Sequence, residues 1–178
     1  MIKKYLKFLK EGVSKYQYGC VMIDFNFENW KELSSNIDKN DIYEKEGENY
    51  GIVPRAHLTL FYGLHSEVLD EQVISCFDGF KLDDFVIEID GITTFENPEF
   101  DVVKLNVILT DVLKEVNSRL SKLPNGNRFP VYKPHITIAY TKSGTAHKYV
   151  KNDYNYLVKN IKAITYSRAD NTELEINL

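Results

Sequence analysis

Two histidines carry the chemistry that this sequence can do. His57 lies in Arg55-Ala56-His57-Leu58-Thr59-Leu60-Phe61-Tyr62, and His135 in Lys133-Pro134-His135-Ile136-Thr137-Ile138-Ala139-Tyr140. Both segments read basic residue, small residue or Pro, His, aliphatic, Thr, aliphatic, then an aromatic tail. In a β-strand residues i and i+2 share a face. Each segment as a strand would show His and Thr on one side and bury its aliphatics on the other. An imidazole titrates near neutrality, so one ring can be neutral while its partner is protonated. A phosphodiester displacement uses both forms: a base takes a proton from the attacking oxygen, and an acid gives one to the departing oxygen. The two must lie on opposite sides of phosphorus, in line. A facing pair of histidines meets that need without a metal. Each threonine hydroxyl can donate to a non-bridging phosphate oxygen, where charge grows in the transition state.

A single His-x-Thr says little, because a half-buried histidine bonded to a neighbour is the usual case. Two copies with matching flanks say more. Around them, Phe61 shares the His57 face at i+4 and is a stacking platform for a base. Arg55 and Lys133, two before each histidine, are candidate phosphate contacts. Tyr132 is a candidate base platform, with Tyr16 and Tyr18 behind it. Tyr62 and Tyr140, at i+5, point to the opposite face of a regular strand and belong in the core unless a bulge re-aims them. His65 and His147 lack a threonine partner and read as surface residues. A zinc site would need His-x-His or H-E-x-x-H spacing, or a carboxylate repeated in both copies, and the sequence has none of these. No metal and no cofactor are expected.

At 178 residues the chain is one domain or two closely packed lobes. A net charge of −4 gives no basic field for long duplex DNA, though a nucleotide or an RNA end remains open. Cys20 and Cys76 have no metal spacing and read as buried free thiols in a reducing cytoplasm. No apolar run reaches the roughly 20 residues of a membrane span, and no secretory signal opens the chain. A cytoplasmic monomer that binds no membrane is expected.

The elements that must position the histidines follow from periodicity. Ile2, Tyr5, Leu6 and Leu9 form an apolar stripe between lysines, so residues 1–12 read as an amphipathic helix apart from a single domain over 13–178. Residues 18–25 are an apolar run suited to a central strand. A helix is expected over 28–37, then a long loop over 38–51 beside the site. The first motif strand spans 57–62. Ser66 is placed as the cap of a helix whose stripe is Leu69, Val73, Cys76 and Phe77. Alternation predicts strands over 85–90 and 103–109, with a turn at 96–99. Thr110 caps a helix over 111–122, a loop spans 124–130, and the second motif strand follows. A helical pattern covers 145–160, and two strands close the chain around Ala169-Asp170-Asn171. Strand, helix, loop and strand precede the first motif, and the same order, from Val102, precedes the second. This duplication predicts two lobes about a pseudo-two-fold axis.

The paired motifs, Pro134-His135-Ile136-Thr137 above all and His57-Leu58-Thr59 beside it, resemble the 2H phosphoesterase superfamily, which includes the RNA 2′,3′-cyclic phosphodiesterases (2′-5′ RNA ligase-like proteins) and phage enzymes acting on cyclic oligonucleotides. The resemblance runs from Tyr18 to the C-terminus. It implies an α+β fold, bilobal and pseudo-symmetric, with two antiparallel sheets around a central cleft and helices outside. It also implies that His57 and His135 are the catalytic pair and that Thr59 and Thr137 hold phosphate. Ala56 departs from the proline often found before the first histidine, and the lysine-faced helix is an addition. A small acidic chain rich in Tyr and Lys is similar in flavour to proteins of large bacteriophages.

The reading is therefore a metal-independent phosphodiesterase acting on a 2′,3′-cyclic phosphate end or a cyclic or 2′-5′ oligonucleotide. A silent module binding RNA ends or nucleotides, and a virion-associated protein docking through the lysine helix, are the alternatives. The duplication leaves the two histidines chemically alike, and the loops over 38–51 and 124–133 are expected to set the substrate.

Overall fold

The computed structural model describes residues 18–46, 48–158 and 161–178. The expected helix over 2–10, its boundary at residue 12 and Tyr16 lie outside these residues. In chain order the elements are β1 (Gly19–Phe25), α1 (Trp30–Ser35), β2 (His57–Leu64), α2 (Asp70–Ser75), β3 (Ile87–Glu96), β4 (Phe100–Val107), α3 (Asp111–Leu120), β5 (His135–Lys142), β6 (Tyr156–Val158), β7 (Ile161–Ser167) and β8 (Glu173–Ile176). They form two four-stranded antiparallel sheets, ordered β2-β1-β7-β8 and β5-β4-β3-β6. The two motif strands are the edge strands, and they pack against each other. The expected bilobal α+β arrangement is thus the observed one.

Alternation puts one face of each sheet in the core. On β1, Val21 and Ile23 are buried, while Cys20 and Met22 are half-buried on the other face. The same holds on the motif strands, where Leu58, Leu60, Ile136 and Ile138 are buried. Each such aliphatic removed from water contributes roughly 1.5–3 kcal/mol.

The halves brace each other crosswise. Helix α1 follows β1 in the chain but packs behind β5, and α3 follows β4 but packs behind β2. Trp30 and Leu33 give α1 its buried side, and Leu113, Val116 and Leu120 do so for α3. Thr110 Oγ1 accepts from the Leu113 amide at 3.3 Å, so the expected cap is present. The connecting loops cross over as well. The loop before β2 bonds along the free edge of β5, with Tyr43 N donating to Tyr140 O at 3.0 Å and Val53 N to Ile138 O at 2.9 Å. The loop before β5 lies along β2, with Gly126 N donating to Gly63 O at 2.8 Å and His65 N to Pro124 O at 3.0 Å. Edge strands with open backbone groups are covered in this way rather than left free.

Several expectations are corrected. Within the helix expected over 145–160, the described residues 145–158 hold a short 3-10 turn at Ala146–Tyr149 and the strand β6 instead. Asp101, only 2% exposed, accepts from Gly144 N at 2.8 Å and from Ala146 N at 3.3 Å, which fixes the chain in that turn. Helix α2 starts at Asp70, after Ser66. Gln72 Oε1 accepts the Leu69 amide at 2.9 Å, and Leu69 itself is exposed rather than on the buried stripe. β3 begins at Ile87 and continues through Glu96, beyond the strand expected over 85–90. Cys76 is buried, but Cys20 is half-buried on the cleft side, where burial pushes its thiol up to about 12.

Candidate active site

Each motif histidine is fixed by its own backbone. His57 Nδ1 lies 3.2 Å from Arg55 O, and His135 Nδ1 lies 2.8 Å from Lys133 O. A carbonyl only accepts, so in both rings Nδ1 carries the proton and donates. That leaves Nε2 of each neutral ring without a proton, and among the described residues neither Nε2 makes a hydrogen bond. The same lock is built twice because the residue two before a strand's first histidine presents its carbonyl on the histidine's side. Both rings are half-buried. Burial is the main cause holding each below the ordinary imidazole range. The charge of His57 also depresses His135, as expected of rings sharing one cleft.

The motif strands share a second feature. The β1–β2 ladder pairs Val21 with Phe61 and Met22 with Thr59, passing over Leu60. The β4–β5 ladder pairs Val103 with Ala139 and Lys104 with Thr137, passing over Ile138. Each strand thus carries a β-bulge three residues after its histidine. The bulges reverse the alternation. Phe61 and Ala139 turn into the core, at 3% and 0% exposure. Tyr62, exposed, and Tyr140, half-buried, turn out of the core. The freed carbonyls are not orphaned: Leu60 O accepts from Asn117 Nδ2 of α3 at 2.7 Å, and Ile138 O from Val53 N at 2.9 Å.

The sequence candidates therefore separate. His57, Thr59, His135 and Thr137 come together on facing edge strands. Phe61 does not join them; it is a core residue, and Tyr62 stands out of the core in its place. Tyr62 meets Tyr18 edge-on with ring centroids 6.1 Å apart, while Tyr140 meets Tyr50 at 5.1 Å and Phe100 at 5.6 Å. The signal for this reversal was legible: two successive apolar residues, Leu60-Phe61 and Ile138-Ala139, break the alternation at the same place. Arg55 pairs with Asp24, Nη2 to Oδ1 at 3.1 Å. Tyr132 is half-buried, and its Oη donates to Thr59 O at 2.9 Å, which makes it a brace between the halves. Lys133 is exposed. His147 is exposed as expected, but His65 is half-buried beside Tyr18, with ring centroids 5.9 Å apart.

The neighbouring strands are where the two halves differ. Across the first ladder His57 faces Asp24 and Thr59 faces Met22. Across the second, His135 faces Asn106 and Thr137 faces Lys104. Lys104 is a polar residue of the alternating strand β4, yet it is only 4% exposed. Which face an alternating lysine takes depends on what covers that face, and alternation does not encode it. Phe95 of β3 meets His135 edge-on, centroids 5.0 Å apart and planes at 85°. Among the described residues no three or more His, Cys, Asp or Glu side chains gather where they could hold a metal ion.

The sequence matches the profile of the 2′-5′ RNA ligase superfamily over residues 28–167. The chain belongs to that superfamily. Comparison with curated proteins finds no match. Among solved structures, Usb1 of Kluyveromyces marxianus is similar with a TM-score of 0.58 and 10% identity, over 92% of this chain and 99% of its own. LigT of E. coli complexed with 3′-AMP is similar with a TM-score of 0.55 and 14% identity, over 92% and 95%. Usb1 solved with uridine monophosphate gives 0.51 at 9% identity, over 91% and 99%. At these identities the likeness is one of fold. The superfamily falls within the 2H phosphoesterases, whose members are phosphodiesterases in general.

Proposed function

We propose that this chain cleaves a ribose phosphodiester, without a metal, by general acid–base catalysis between His57 and His135. The observation that carries the reading is the repeated lock: two imidazoles on facing strands, each with Nδ1–H tied to the carbonyl two residues before it and Nε2 left free. Binding alone has no use for a matched pair of proton-transfer groups.

With a 2′,3′-cyclic phosphate, one neutral imidazole takes a proton from water at Nε2 as the water oxygen bonds to phosphorus. The bond from phosphorus to the 3′ oxygen breaks, and the other imidazole, protonated, gives its Nε2 proton to that oxygen. A 2′-phosphate remains. With a linear or cyclic oligonucleotide, a neighbouring 2′ hydroxyl replaces water as the attacking group. Thr59 and Thr137 donate to the non-bridging oxygens. LigT with 3′-AMP and Usb1 with uridine monophosphate support a nucleotide or RNA end as the bound group here.

The test is chromatography of 2′,3′-cyclic nucleotides, RNA with cyclic ends, 2′-5′ oligonucleotides and cyclic dinucleotides after incubation with the protein and EDTA. Turnover of at least one class that survives EDTA, and is lost in His57→Ala and His135→Ala, is the expected result. Undiminished turnover in either variant would reject the reading.

A further inference from the structure

Lys104 is a buried cation that the two-histidine scheme does not use. Its ammonium donates to Thr93 Oγ1 at 2.6 Å and lies 4.4 Å from the centre of the Phe95 ring. Among the described residues no carboxylate is within ion-pair distance of it. One hydroxyl and one ring face replace only part of the hydration an ammonium loses on burial. The charged groups around it give little relief. Asp90, which draws its titration up, is itself bonded by Asn106 at 2.6 Å. Desolvation is the main cause pushing it down, and Lys133 adds to it. Such a site is short of negative charge.

Its place in the ladder gives the shortage a use. Lys104 stands directly across from Thr137, two pairs along the ladder from His135 and on the same face. The equivalent place across from Thr59 holds Met22, which carries no charge. We propose that Lys104 is the fixed anion-binding cation of this cleft, taking a non-bridging oxygen of the phosphodiester on the Thr137 side. The phosphate supplies the negative charge that the buried ammonium lacks, and the charge that grows on phosphorus oxygens in the transition state meets a donor already in position. The inference rests on the phosphodiesterase reading and names a binding group for it. It also makes the two histidines unlike. Lys104 disfavours a second positive charge on His135, whereas His57 has Asp24 across the ladder, with Arg55 beside it.

The variant Lys104→Met copies the other half. Calorimetry of the full chain with inorganic phosphate at low salt should show about tenfold weaker binding or worse. Histidine NMR titration should show the His135 midpoint rising and the His57 midpoint staying in place, which a merely structural lysine would not produce. Wild-type phosphate affinity with both midpoints unmoved overturns the inference. Should Lys104→Met fail to fold, the Nζ resonance of Lys104 in the wild-type protein serves instead. A shift on saturation with phosphate supports the proposal, and an unshifted resonance overturns it. His57→Ala and His135→Ala keep the two readings apart. If both lose turnover while Lys104→Met binds phosphate normally, this inference falls and the phosphodiesterase reading stands. If either retains turnover, that reading falls, and the phosphate arm still decides whether Lys104 binds an anion.

Discussion

Tyr132 Oη donates to the carbonyl of Thr59 at 2.9 Å, so the loop that delivers His135 is fastened to the strand that carries His57. The bond is partly buried and joins residues 73 apart in sequence. It sets the spacing of the halves at the level of Thr59. Tyr132→Phe keeps the ring and removes the bond. The expected cost is about 0.5–1.5 kcal/mol of stability, read by urea unfolding, with a lower kcat at nearly unchanged KM.

Asn117 holds the bulge in β2. Its amide satisfies the Leu60 carbonyl that the ladder passes over. Asn117→Leu leaves that carbonyl without its partner and should cost about 1–3 kcal/mol in denaturant unfolding. The solvent accessibility of Tyr62 should change with it, since the bulge is what turns that ring out. Tyrosine fluorescence quenching checks the second effect.

Gly63 follows the bulge with φ at +111°, and a Cβ there would stand 2.9 Å from Asn127 N. The backbone of the loop before β5 has no room to yield without breaking its bond from Gly126 to Gly63. Gly63→Ala should destabilise by roughly 1–3 kcal/mol through strain at this site. Turnover should fall with stability, because that loop ends at His135. Thermal unfolding and a single-substrate rate assay measure the two losses.

Both histidines titrate below the ordinary imidazole value because burial disfavours the imidazolium. In the unfolded chain they return to about 6.5. Between the folded values and 6.5 the unfolded chain binds more protons, so stability falls as pH drops through that window and levels off below it. Unfolding in urea at a series of pH values should show this loss in the wild type and a smaller one in His57→Gln/His135→Gln. The bell of kcat/KM against pH should lie on the acid side of 6.5, since it reports the free protein's pair.

Asp101 is a further stability site away from the chemistry. It accepts two amides in the turn that follows β5. Asp101→Ala should cost about 2–4 kcal/mol, for two lost hydrogen bonds at a buried site, while the rate per folded molecule holds. Circular dichroism melts and active-site-normalised rates check it.

The proposed reacting groups and the plan of the molecule are written in the local sequence. His-x-Thr written twice, with strand, helix and loop before each copy, places two imidazoles on two equivalent strands. These are properties of side-chain type and period, which a chain carries locally. It also marked the bulges, through Leu60-Phe61 and Ile138-Ala139, although alternation read without them sends Phe61 to the cleft and Tyr62 to the core. What lies across from each motif is settled by long-range strand pairing. Register between distant strands puts Lys104 beside Thr137 and Met22 beside Thr59, and nothing local to Lys104 distinguishes a cleft from solvent. The crossed packing is of the same kind. α1 braces β5, α3 braces β2, and Tyr132 is spent on a backbone carbonyl rather than on a base, because long-range pairing and burial choose among partners that the local sequence leaves equal.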